Sequence, residues 1–187
     1  MLGGMRAEEV QSDITRVLVT EEQIRAKLDE IAAQVTVDYE GKELLLVGVL
    51  KGAVMVMADF ARALPTHVTM DWMAVSSYGT GTRSSGVVQI RKDLDTDLHG
   101  KHVLIVEDII DSGLTLSWLL TNFASRGAAS VEVFALFRKP DAAKVEVDCR
   151  SFGFDIPNEF VVGYGLDYAE KYRNLRDVAV LAPHVYS

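Results

Sequence analysis

The chain alternates between short apolar runs and longer stretches in which apolar residues recur every three or four positions. The short runs read as strands covered on both faces of a parallel sheet, and the longer stretches as helices with one buried stripe. Val17 to Val19 predicts a short edge strand. Thr20, with Gln23 three residues later, forms a capping box and opens a helix over 21–39. Its stripe is Ile24, Leu28, Ile31 and Val35, and Gly41 stops it. Residues 43–50 predict a buried strand, 53–63 a second helix, and 67–76 and 87–91 two further strands. The run Val103, Leu104, Ile105, Val106 is a strand expected to end at Glu107 and Asp108. A loop through Asp111 and Gly113 then leads into a helix marked by Leu116, Leu119, Leu120 and Phe123 and closed by Arg126 and Gly127. Strands over 130–137 and 178–181 complete the pattern, and no internal repeat is visible.

Composition sets bounds on this picture. At 187 residues and 49% hydrophobic content the chain is long enough for one well-buried core and short for two domains, so a single domain over 1–187 is expected. A formal charge of -8, from 27 acids against 19 bases, argues against a broad nucleic-acid or anionic-membrane footprint. An anionic substrate is then captured locally, by metal ions and a few placed Lys and Arg residues. Cys149 is the only cysteine, so a disulfide or multi-cysteine zinc site within one chain is excluded and a reducing cytoplasm is the expected setting. The opening MLGGMRAEEV lacks an apolar signal core. The most apolar region, Leu44 to Met57, is interrupted by Lys51 and falls short of the ~20 apolar residues of a membrane helix.

The densest chemistry lies where the 103–106 strand gives way to a helix. Ligands of open α/β sheets sit at the carboxyl ends of strands, where the next helix begins with unpaired N–H groups and partial positive charge. Backbone amides around Ser112, Gly113, Leu114 and Thr115, with two hydroxyls, suit a phosphate, and Gly113 permits backbone conformations closed to other residues. Beside them stand Glu107, Asp108 and Asp111, able to accept hydrogen bonds from sugar hydroxyls, hold a divalent cation, or take a proton. A phosphorylated sugar satisfies all of these. A solvated acidic loop, a phospho-acceptor aspartate and a dinucleotide fold are the competing readings. The last two fit poorly: Gly79, Gly81 and Gly86 have the wrong spacing for G-x-G-x-x-G, and no G-x-x-x-x-G-K-[ST] is present.

Leu104 to Thr115, LIVEDIIDSGLT, resembles the phosphoribosyl-pyrophosphate motif of the type I phosphoribosyltransferases, in the version of the hypoxanthine-guanine enzymes. Two further stretches carry the resemblance, Leu50-Lys51-Gly52 and FGFDIPNEFVVGYGLD over 152–167, so that it spans about 17–181. It implies a twisted, mainly parallel sheet with helices on both faces and a small hood built from the two chain ends. The implied reaction joins N9 of hypoxanthine or guanine to C1 of 5-phosphoribosyl 1-pyrophosphate, giving IMP or GMP and releasing pyrophosphate. Residue by residue, it implies that Lys51, Gly52 and Arg173 face the pyrophosphate, in a loop whose peptide before Lys51 can be cis or trans. It makes Ser77 and Tyr78 part of a flap over that side, in a Gly- and Ser-rich stretch with too few apolar groups to hold itself down. Glu107 and Asp108 hold the ribose hydroxyls and help position Mg2+, Ser112 to Thr115 bind the 5′-phosphate, and Asp111 is the general base at purine N7. Lys139, with Arg138 as the weaker rival, donates to the purine 6-oxo group. Phe160 stacks on the ring, the Val161 main chain bonds the base edge, and Asp167 carries magnesium beside the base.

The 141–148 connection lacks the extra arginine of some family members, which leaves one pyrophosphate contact absent or supplied differently. A homodimer or homotetramer is expected by analogy. Two rival readings share the fold: a transferase for xanthine or another base, and an RNA-binding regulator, against which the acidic balance speaks.

Overall fold

The structure, a computed structural model, describes residues 4–77 and 88–187. Six strands form the main sheet: β2 (Leu44–Leu50), β3 (Thr69–Ser77), β4 (Val88–Lys92), β5 (His102–Ile110), β6 (Ser130–Arg138) and β7 (Ser151–Asp155). Their order is β4-β3-β2-β5-β6-β7, parallel throughout except for β4 against β3. The two chain ends build a second, antiparallel sheet, β1 (Ile14–Val19), β9 (Val178–Leu181) and β8 (Val161–Val162), which is the expected hood.

Alternation along the central strands decides what covers each face. Leu46, Leu104, Val106, Phe134 and Leu136 point towards α1 (Glu21–Asp38) and α2 (Val54–Ala63). Leu45, Val47, Val103, Ile105, Val133 and Ala135 point towards α3 (Leu114–Ser125). The stripe of α1 is buried as predicted, and Thr20 and Gln23 close both bonds of the capping box, at 3.3 and 2.9 Å. Gly41 lies just beyond, at φ +72. Among the described residues no helix is long and apolar enough to cross a membrane.

Beyond shifts of one or two residues, β5 and β1 have other bounds than expected, and β7, β8 and a short helix at 183–186 were not expected. β5 does not stop at Glu107 but runs to Ile110, because parallel pairing with β6 continues to Ile110 opposite Arg138. The carboxylates interrupt the apolar run without interrupting the ladder. β1 begins at Ile14 rather than Val17, its register with β9 reaching Leu181. β7 was not foreseen; it is a short edge strand containing Gly153, where an added Cβ would lie 2.5 Å from the Leu136 carbonyl oxygen.

Candidate active site

The crossovers leave the sheet in opposite directions from β2 and β5, which lie side by side, so their carboxyl ends frame a topological switch point. β2 ends in Leu50, a cis peptide, Lys51 and Gly52. β5 ends in Ile110, and Asp111, Ser112 and Gly113 turn into α3. Gly113 is required twice over. It sits at φ +78, and a Cβ there would meet the Val145 carbonyl oxygen at 2.5 Å. The Ser112 carbonyl accepts N–H groups of Lys144 and Val145 at 3.0 and 3.2 Å, bracing the loop from the 141–148 connection. The first amides of α3 have no intrahelical partner and no side-chain cap. A cavity of about 230 Å³ opens here, lined by Glu107, Asp108, Asp111, Ser112, Gly113 and Thr115, while Leu114 begins α3 beside it.

A second cavity, of about 370 Å³, shares Gly52, Asp108, Ile109 and Asp111 with the first. Its other walls are Lys51, Lys139, Phe160, Val161, Leu166, Asp167 and Arg173. Lys139 leaves β6 with its N–H on the Ile110 carbonyl at 2.9 Å. Arg138, the weaker candidate, is engaged elsewhere: it donates to both oxygens of Asp155 at 2.7 and 3.0 Å and lies 3.8 Å over the Phe152 ring. Phe160 is 40% exposed, and Val161 is buried where β8 joins the hood.

The hood reaches this cavity through 163–173, a segment bent by six residues with positive φ: Gly163, Tyr164, Gly165, Ala169, Glu170 and Tyr172. Two isolated bridges, Gly163 to Leu166 and Tyr168 to Lys171, tie the bends. Gly165, at φ +100, backs directly onto the Lys51–Gly52 turn; a Cβ there would stand 2.1 Å from the Gly52 carbonyl oxygen. Arg173 donates to the Gly165 carbonyl at 2.7 Å and meets Asp167 at 2.8 Å. Glu170 bridges the two cations, at 3.0 Å from Lys51 Nζ and 3.4 Å from Arg173 Nη2. These hydrogen bonds hold the Glu170 carboxyl below the usual carboxylate range. The segment is not helical, and the Arg173 side chain is only 23% exposed.

Burial pushes the Asp108 carboxyl up to about 6, against the hydrogen bond its Oδ1 accepts from the Ile109 N–H at 2.9 Å. Burial and the neighbouring Asp108 raise Glu107 well above its ordinary value. Successive strand residues face opposite sides, and Glu107 borders only the smaller cavity while Asp167 borders only the larger. Glu107, Asp108 and Asp167 are therefore not gathered as one ligand set, and among the described residues no group of three or more His, Cys, Asp or Glu side chains is placed to hold a metal. Carboxylate oxygens on either side of a cavity nonetheless suit a hard cation such as magnesium, which commonly takes one or two carboxylates and completes its shell with substrate oxygens and water. Of the flap pair, Ser77 closes β3 and Tyr78 lies outside the described residues. Sequence reasoning missed Ile109 and Leu166, which read as ordinary core. The pairing of Glu170 with Arg173 is open to sequence reasoning, but its contact with Lys51, 119 residues away in the chain, is not.

The phosphoribosyl transferase domain model matches residues 18–169. The hypoxanthine-guanine phosphoribosyltransferase of Mycobacterium tuberculosis is 54% identical, covering 98% of this chain and 94% of its own length. That of Streptococcus agalactiae is 52% identical over 95% of this chain and 99% of its own. A crystal structure of a hypoxanthine phosphoribosyltransferase from Staphylococcus aureus superposes with a TM-score of 0.92 at 46% identity, covering 96% of this chain and 97% of that one. On a matched domain spanning most of its length and relatives of about half identity end to end, the chain belongs to the phosphoribosyltransferase family.

Proposed function

We propose that this protein joins hypoxanthine or guanine to 5-phosphoribosyl 1-pyrophosphate, forming IMP or GMP and pyrophosphate. The observation that carries the reading is the pair of cavities meeting at Asp108 and Asp111, one walled by helix-start amides and the other by Phe160 and Lys139. A phosphorylated sugar fits the first, a flat base the second, and the reacting C1 falls between them. The relatives' names support the same substrates.

The residues divide the work as follows. Amides and hydroxyls of Ser112, Gly113, Leu114 and Thr115 hold the 5′-phosphate, and Glu107 and Asp108 accept hydrogen bonds from the ribose hydroxyls. As the bond from C1 to pyrophosphate breaks, positive charge grows on the ribose and negative charge on the leaving group. Lys51 and Arg173, beside Gly52, stabilise that leaving group once it displaces Glu170 from between them. Asp108 and Asp167 would hold magnesium together with substrate oxygens, with Glu107 helping only from the ribose side, and the ion would supply further positive charge against the pyrophosphate. Asp111, exposed at the mouth of both cavities, takes the proton from purine N7, a contribution of ~10²- to 10⁴-fold. Lys139 can only donate, which favours a 6-oxo group over the amino group of adenine, while the Val161 main chain bonds the base edge and Phe160 stacks on its face. Ser77 and Tyr78 belong to a flap that keeps water from the reactive sugar. We further propose a single-domain, cytoplasmic homodimer or homotetramer that binds neither nucleic acid nor membrane.

Turnover with magnesium and phosphoribosyl pyrophosphate, measured against hypoxanthine, guanine, xanthine, adenine and uracil in turn, tests the proposal. Nucleotide formation is expected from hypoxanthine and guanine and not from adenine or uracil. Preference for xanthine, or binding of structured RNA in a filter assay without turnover, would replace the reading.

A further inference from the structure

Phe160 must present a ring face to the base cavity, yet it is 40% exposed and outside the hydrophobic core. Its backbone is fixed, since its carbonyl accepts the Leu181 N–H at 2.8 Å. Its ring is held by two tyrosines. Tyr186, in α4 (Pro183–Tyr186), stacks on it with centroids 5.0 Å apart and planes 23° from parallel. Tyr168 meets it edge-on at 5.7 Å and 87°, and closes the triangle with Tyr186 at 6.4 Å. Such pairs prefer offset-stacked or edge-to-face arrangements, and both occur here. Of the three rings only Phe160 lines the 370 Å³ cavity; Tyr168 and Tyr186 do not.

Besides the Leu181–Phe160 bond, the segment carrying Tyr186 has anchors of its own. The Ala182 N–H donates to the Asp13 carbonyl at 2.8 Å, and the Tyr172 hydroxyl donates to the Asp13 carboxylate at 2.7 Å. Val185 packs on the small cluster of Val162, Tyr172 and Leu181, and Pro183 opens the turn with a fixed φ. The ring is thus a backing plate seated on the hood rather than a loose aromatic.

We infer that Tyr186 is a positioning residue for the purine: by stacking behind Phe160 it holds that ring in the orientation in which its free face receives the flat base. The inference rests on the proposed base site and deepens it. Because Tyr186 touches neither cavity, its effect is confined to base and nucleotide, leaving the sugar donor's grip alone. The experiment compares Y186A, Y186L and Y186F with wild type, measuring KM for hypoxanthine, KM for phosphoribosyl pyrophosphate, and Kd for IMP by calorimetry, with thermal melts for folding. Y186A and Y186L should raise the hypoxanthine KM and the IMP Kd by about three- to tenfold, with the donor KM within about twofold, and Y186F should restore the wild-type values. Unchanged base affinity in Y186A, tighter base binding, an equal rise in both KM values, or a wild-type-like Y186L would overturn the assignment. If wild type neither binds IMP nor converts hypoxanthine, the reading of the site itself has failed. If it does both and Y186A matches it, only the role of Tyr186 has.

Discussion

Replacing Gly52 by alanine tests whether the Lys51–Gly52 turn and the β5 carboxylates act as one fitted unit. Gly52 does not lie in the left-handed region, so alanine meets no backbone penalty there and the effect is steric. An ideal Cβ at this position falls 1.8 Å from Asp108 Oδ2 and 2.7 Å from its Cγ, where real Cβ contacts do not come under 3.0 Å, so something must yield by more than 1 Å. Asp108 is buried and holds the Ile109 N–H, so rotating its carboxylate sacrifices that bond and a good rotamer, about 1–3 kcal/mol together. Moving the turn instead displaces Lys51 from the leaving-group site. Either route misplaces a group at the reacting centre by about 1 Å, which is worth on the order of 10²-fold in rate. The expected result is a fall of about 100-fold in kcat/KM for phosphoribosyl pyrophosphate, with a melting temperature lowered by about 3–10 °C. Gly41→Ala is the control. Its φ of +72 gives alanine a comparable cost of about 1 kcal/mol, but it is remote from both cavities and activity should persist. Near-wild-type kinetics for Gly52→Ala would refute the claim that these two sheet ends are packed to atomic tolerance for the substrate.

Glu170→Gln removes the charge that neutralises Lys51 and Arg173; because the Lys51–Glu170 pair is exposed and screened by solvent, the donor KM should fall by no more than about fivefold, and a rise would show that Glu170 assists binding rather than standing in for the pyrophosphate. Asp71 accepts N–H bonds from Trp72 at 2.7 Å, Asp95 at 2.9 Å and Thr96 at 2.8 Å. Burial pushes its carboxyl up, but those hydrogen bonds outweigh burial and hold it below the usual range. Its contribution to stability is thus present above the unfolded pKa of 3.8 and lost as pH falls through the lower folded value. Asp71→Asn, which turns an N–H₂ towards amide donors, should cost about 2–3 kcal/mol at pH 7 in denaturant melts, a difference that closes only as pH falls below 3.8; a pH-independent difference would contradict this. Asp111→Asn should lower kcat by ~10²-fold or more while donor affinity stays within a few-fold, and unchanged turnover would refute the general-base role.

Much of this was legible in the sequence because local physics and burial agreed. The stripe Ile24, Leu28, Ile31, Val35 and the Thr20–Gln23 box define α1 without reference to the rest of the chain, and all four apolar residues are buried. Gly113 stood out because a left-handed turn between strand and helix needs glycine. The end of β5 was misjudged because hydropathy follows side chains while the ladder follows backbone: Glu107 and Asp108 are polar yet buried, and the pairing runs past them, from Glu107 opposite Ala135 to Ile110 opposite Arg138. β7 escaped because five residues around a glycine at a sheet edge carry little apolar periodicity. Contacts such as Lys51 with Glu170, or Tyr186 behind Phe160, join segments whose proximity only the folded hood creates. Residue types announced a sugar phosphate and a base; their arrangement around two joined cavities required the structure.

The central claim is that the acidic end of β5 and the amides opening α3 grip one activated sugar phosphate with its leaving group between Lys51 and Arg173. Crystals grown with phosphoribosyl pyrophosphate and magnesium test it directly. The account predicts the 5′-phosphate on the Ser112–Thr115 loop, the ribose hydroxyls on Glu107 and Asp108, and the pyrophosphate in the place Glu170 now fills. Donor density anywhere else, or an empty loop at saturating ligand, would contradict it.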